Sequence, residues 1–182
     1  MSNRVRILVG VLVVAALVFI GWRMWSAQHV LSTATGLSAD TTQAGLGSVT
    51  LWFADAGGDS LVREVREVQE LEGLHARVSQ LVDALVQGPA HGGIAVVPNG
   101  TTVLRAYLDD RGQLTLDLSR AFQQGFHGGS CEEDLIIGSL VRTIGSNLPE
   151  VKRVLFVCGG APISSLGGHL PLDRPIDPHE GF

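Results

Sequence analysis

Residues 126–135 read Phe-His-Gly-Gly-Ser-Cys-Glu-Glu-Asp-Leu and gather the side chains that acyl-transfer chemistry uses. Ser130 or Cys131 offers a nucleophile, His127 a base, and Gly128-Gly129 backbone N–H groups for an oxyanion. The same stretch also reads as the start of a helix. Ser130 stands three residues before Glu133 and ahead of an apolar run, the spacing of a capping box in which each residue satisfies the other's backbone N–H. Glu132, Glu133 and Asp134 fill a first turn whose dipole favours acids. Those acids would repel an anion held at the helix start, and no Walker lysine follows. Ser130 and Glu133 are therefore read as structural.

Cys131 and Cys158 are the only cysteines. At the first helical position a thiol has reason to ionise easily, which suits a nucleophile. The alternative is a disulfide. A helix over 131–147 rises about 24 Å at ~1.5 Å per residue, and a strand over 152–158 runs about 23 Å at ~3.3 Å per residue. If the strand returns antiparallel to the helix, both sulfurs fall at one end, and an oxidising exterior would favour the bond. Two separate thiols, free or buried, remain the other reading. The six histidines (29, 75, 91, 127, 169 and 179) are scattered, without an HExxH or Cys-x-x-Cys spacing. Neither a metal nor a cofactor is expected. His169 and Asp173, in a Gly/Pro-rich loop, are read as anchors of that loop. Asp117 is read as the support of the turn after Ser119.

These residues must be positioned by a sequence of elements. VTLWF (49–53) alternates as a strand does, and LVREVREVQ (61–69) is a second strand or extended edge. Leu74, Val78, Leu81, Val82 and Leu85 recur at helical spacing, which predicts a helix over 72–87 ended by Gly88-Pro89. TVLRAYL (102–108) and QLTLDLS (113–119) predict a hairpin turned at 109–112, with Leu114, Leu116 and Leu118 facing the core. A helix over 131–147 and a central strand over 152–158 follow. A short extended segment is expected from Ile163 to Leu166. The fold class is α+β: a mostly antiparallel sheet of four to six strands with two helices packed on one face.

The chain has 182 residues, 45% hydrophobic and 17% charged. Much of the apolar excess lies in residues 7–25, uncharged but for Arg23 and about 28 Å long as a helix at ~1.5 Å per residue, enough to span a bilayer core. Arg4 and Arg6 precede it, so the positive-inside rule places the N-terminus in the cytoplasm. A cleaved signal peptide would have a shorter apolar region and an Ala-x-Ala site, whereas Trp25-Ser26-Ala27 puts a bulky residue at the wrong place. The expected organisation is a cytoplasmic stub (1–6), a transmembrane anchor (7–25), a flexible linker (26–48), an extracytoplasmic domain (49–177) and a tail (178–182). Formal net charge is −5; without Arg4, Arg6 and Arg23 it is −8. Such a surface repels phosphate backbones, so nucleic acid is excluded as a partner.

The stretches VTLWF (49–53), LVDALVQGP (81–89), VPNGTTV (97–103), QLTLDLSRAF (113–122), GGSCEE (128–133), VKRVLFVCGGAP (151–162) and SLGGHLPLDRP (165–175) together resemble the GerMN domain of sporulation and spore-germination proteins. That resemblance implies a bacterial domain outside the cytoplasm, tethered to the membrane, with no known catalytic activity. It also implies an αββαβ unit similar to ring-building motifs that assemble envelope complexes. The best-known members hold two such domains and a lipidated cysteine; this chain shows one domain and an apolar anchor. The expected function is non-enzymatic binding or assembly of an envelope, sporulation or germination complex, through envelope proteins or self-association. Two alternatives stand beside it. One is an extracytoplasmic hydrolase using Cys131 or Ser130 with His127 or His169. The other is a sensor of cell-wall fragments.

Overall fold

The computed structural model describes residues 45–179. The stub, the anchor at 7–25 and nearly all of the linker lie outside the described residues. Among the described residues no helix is long and apolar enough to cross a membrane.

The chain opens with two antiparallel strands, β1 (Leu46–Ala54) and β2 (Leu61–Gln69), which pair along their whole length as a ribbon. β1 begins three residues before the alternating run suggests. Its core face holds Leu51 and Phe53, both buried. Helix α1 (Leu74–Gln87) follows and buries Val78, Leu81, Val82 and Leu85 along one stripe. Gly88, at φ 90°, ends it and returns its N–H to the Leu85 carbonyl, in a left-handed backbone open to glycine at little cost.

Strands β3 (Val103–Leu108) and β4 (Gln113–Leu118) form the predicted hairpin. Asp109 builds its turn by accepting the N–H groups of Arg111 and Gln113 at 2.9 and 2.8 Å. A short helix α2 (Ala121–Gln124), absent from the periodicity, leads to α3 (Ser130–Asn147) and then to β5 (Arg153–Cys158). Leu114, Leu116 and Leu118 are all fully buried, as their alternation predicts.

The architecture is mixed α+β, and α1, β3, β4, α3 and β5 give the αββαβ order. The strands divide into two sheets: the β1–β2 ribbon and a four-stranded sheet in which β6 (Ala161–Pro162) completes the order β3-β4-β5-β6. β5 runs parallel to β4 because α3 carries the chain back between them, the connection a parallel pair requires. β6 pairs back onto β5 and is not the 163–166 segment. Ribbon, helices and sheet share one apolar core that includes Leu51, Phe53, Leu85, Ile136, Leu140 and Phe156. Order continues past residue 177, since Pro178 is buried. A Cβ at Gly145 of α3 would collide with the Pro178 ring, so the glycine is what lets the chain end lie on the helix.

Candidate functional site

The helix start that suggested chemistry is built differently from a capping box. Gly129 occupies the N-cap position, Ser130 is the first helical residue, and no side chain bonds the helix-terminal N–H groups. Glu133 turns away from Ser130 and is fully buried. Its carboxylate accepts the N–H of Leu166 at 2.8 Å through Oε1 and that of His169 at 3.0 Å through Oε2. Burial alone would raise its pKa, but backbone N–H groups of Gly167, His169, Leu166 and Leu170 outweigh that and hold it below 4.5. A carboxylate surrounded by amides stays ionised even without water. Glu133 is thus the anchor of the 164–172 loop.

His169 and Asp173 are not that anchor. Both are exposed, and His169 contributes its backbone N–H and not its ring. The loop is fixed instead by Glu133 and by Leu172, which is fully buried. Asp117, buried in β4, accepts the Gly160 N–H at 3.0 Å. It supports the turn after β5 and not the one after Ser119, because the parallel register sets it beside Val157.

Cys131 and Cys158 are separate thiols. Cys131 is exposed, with its Sγ 3.5 Å from the Gly58 carbonyl in the β1–β2 turn. Cys158 is buried and donates to the Ser119 carbonyl at 3.3 Å. Burial and the nearby Asp117 charge push the Cys158 thiol up, against a Gln123 amide and Arg120. Of the two readings the separate thiols hold, because α3 starts against the ribbon, so its first residues face the β1–β2 turn and not the end of β5.

Ser130 and Cys131 do line a groove, of about 690 Å³. Its walls are the first turns of α3, the β1–β2 turn at Asp59 to Leu61, and the loop from Leu170 to Asp177. No histidine lines it, and His127 and His169 lie elsewhere on the surface. Asp59, Asp134 and Asp177 outnumber Arg174 in its walls. The groove therefore favours a neutral or basic occupant over an anion. Among the described residues no three His, Cys, Asp or Glu side chains gather as a metal would need.

Two positioning devices were not read from the sequence. α3 sets Ser139, Thr143 and Asn147, four residues apart, against β1. Ser139 donates to the Trp52 carbonyl at 2.6 Å, and Thr143 accepts the Trp52 N–H at 3.0 Å. Asn147 accepts the Thr50 N–H at 2.9 Å and donates to its carbonyl at 2.7 Å. The stripe supplies the backbone partners a third strand would. Its signal was a polar repeat at i, i+4, i+8 running beside the apolar stripe of the helix. The second device is Glu64. It pairs with Arg66 and accepts the Ala90 and His91 N–H groups at 2.9 and 3.2 Å, tying the loop after α1 to β2. Burial opposes its charge, and Arg66 with those N–H groups overrides this to lower its pKa.

The family model described as Germane, sporulation and spore germination, matches residues 50–164. The solved structure of the tandem GerMN domains of the sporulation protein GerM from Bacillus subtilis is similar in fold. It has a TM-score of 0.61 at 20% identity over 73% of this chain, and the match covers 46% of that solved chain. The first GerMN domain of GerM alone gives 0.60 at 22% identity, covering 72% of this chain and 97% of that one. A lipoprotein candidate from Clostridium perfringens gives 0.51 at 19% identity, with 73% and 88% covered. No curated protein matches the chain.

Proposed function

The chain belongs to the Germane family of sporulation and spore germination, and from that premise we propose that its folded domain is a non-enzymatic binding module that helps assemble an envelope complex. In this reading residues 7–25 hold it to the cytoplasmic membrane, with the domain on the outer side.

The observation that supports it most is the groove at the start of α3. It contains both candidate nucleophiles, Ser130 and Cys131, but neither of the histidines, His127 and His169, that a hydrolase reading pairs with them. Such a groove can bind without reacting. Its acidic walls suit a neutral or basic segment of a partner protein. The test is crosslinking in cells with the tagged full-length chain, followed by mass spectrometry of the captured proteins. Envelope proteins should be captured by the wild type and lost with Asp134→Lys in the groove. They should be retained with Asp83→Lys, an exposed change on α1. Capture of none across several crosslinkers, or equal capture by both variants, would overturn the reading.

A second reading, a small-ligand sensor, draws on the size of the groove, which falls within the roughly 300–1,000 Å³ common for ligand sites. Calorimetric titration with soluble peptidoglycan fragments tests it, and absence of binding would remove it.

A further inference from the structure

The ribbon's pairing fixes which backbone groups of β2 face outward. Thr50 and Trp52 turn their N–H and C=O groups to α3. β1 therefore bonds β2 through Val49, Leu51 and Phe53, opposite Arg66, Glu64 and Val62. Alternate residues of an antiparallel strand direct these groups to opposite edges. Those of Leu61, Arg63, Val65, Glu67 and Gln69 must point away from β1. Gln80 of α1 donates to the Gln69 carbonyl at 2.9 Å, as this parity requires. From Leu61 to Glu67 the outward groups find no partner among the described residues. Val65, at the middle of the open stretch, is 56% exposed.

The open stretch reads Arg63-Glu64-Val65-Arg66-Glu67. Reversed, with each charge inverted, it is the same pattern. We infer that β2 pairs edge to edge with β2 of a second copy, antiparallel, about a two-fold axis at Val65. Arg63 then lies opposite Glu67 of the partner subunit, and Val65 opposite Val65 of the partner subunit. An axis at Arg63, Glu64, Arg66 or Glu67 would set that charged residue against itself, which is unfavourable for directly opposed positions. An axis between residues would break the backbone parity. Within Arg63–Glu67 only Val65 satisfies both conditions, and it is the axis that pairs the whole open stretch. Charges on an edge strand usually keep copies apart; that holds for like charges, and here every charge meets its opposite. Such an isologous contact closes on itself.

This self-pairing rests on reading the domain as a protein-binding module, but the residues that test it, Arg63, Val65 and Glu67, do not line the Asp134 groove, which β2 touches only at Leu61. Its test can therefore fail while capture of envelope proteins succeeds, and the reverse. The full-length chain is sedimented over a concentration series, with circular dichroism confirming the fold of each variant. The wild type should dimerise. Arg63→Glu and Glu67→Arg alone should each weaken the dimer about tenfold or more, because each sets two like-charged pairs across the axis. The double variant Arg63→Glu/Glu67→Arg should recover it. In a Cys131→Ser background, Val65→Cys should oxidise to a covalent dimer, since opposed ladder residues sit about 5.5 Å apart at Cα, within disulfide range. A monomeric wild type, a dimer indifferent to the swaps, a double variant no better than the singles, or no covalent dimer through position 65 would each overturn the inference.

Discussion

Glu133 shows how one residue type can be read correctly and its task missed. Its spacing from Ser130 is that of a cap, and it does satisfy orphan backbone N–H groups. Those groups belong to a loop more than thirty residues downstream, and no local pattern encodes that distance. The consequence for stability has a definite sign. The folded-state pKa is below the ordinary glutamate value, so the ionised form favours the native state. The contribution is complete above about pH 5 and is lost as pH falls through the lowered value. Glu133→Gln should destabilise the domain by about 2–3 kcal/mol at pH 7, the usual range for losing hydrogen bonds to a buried charge. The gap from wild type should narrow below pH 4. Urea unfolding at pH 7 and pH 3.5 measures both, and a gap that stays constant would show that the charge is not what holds the loop.

At the scale of elements, hydrophobic periodicity located every long helix and strand to within three residues. β1, α1, the β3–β4 hairpin, α3 and β5 all stand where alternation or the helical repeat puts them. What it could not give was which edge meets which helix, because Ser139, Thr143 and Asn147 announce polarity but not a partner. Their role has a direct test. Thr143→Val keeps the side-chain shape but leaves the Trp52 N–H without an acceptor. The expected cost is about 1–3 kcal/mol, that of a desolvated unpaired donor. Amide exchange at Trp52 should accelerate while exchange in β4 keeps to the change in global stability. Unchanged protection at Trp52 would mean that the helix shields β1 by packing alone.

For the molecule as a whole, the fold class was legible because a mixed order of strands and helices leaves few layer arrangements. The division into a ribbon and a separate sheet was not legible. It depends on α3, whose length and apolar face look the same whether it covers a sheet or borders one. Since both sheets empty into one core, the domain should unfold in a single step. Far-UV and near-UV circular dichroism in urea should give coincident transitions, and a ribbon that melts first would separate them. The candidate nucleophiles were found in the sequence, but the groove they line was not, since its other walls come from residues 59–61 and 170–177.

The polar stripe of α3 also sets an upper limit on how many copies can join through the ribbon. A ribbon with two bare sides could recruit neighbours without end, each newcomer offering the next an equal template, which is how fibrils propagate. Here one side is permanently occupied by a helix that no incoming strand can displace without unburying Leu140 and Ile144. Whatever molecule joins the remaining side, growth terminates there. Through the ribbon, assembly can count to two and no further.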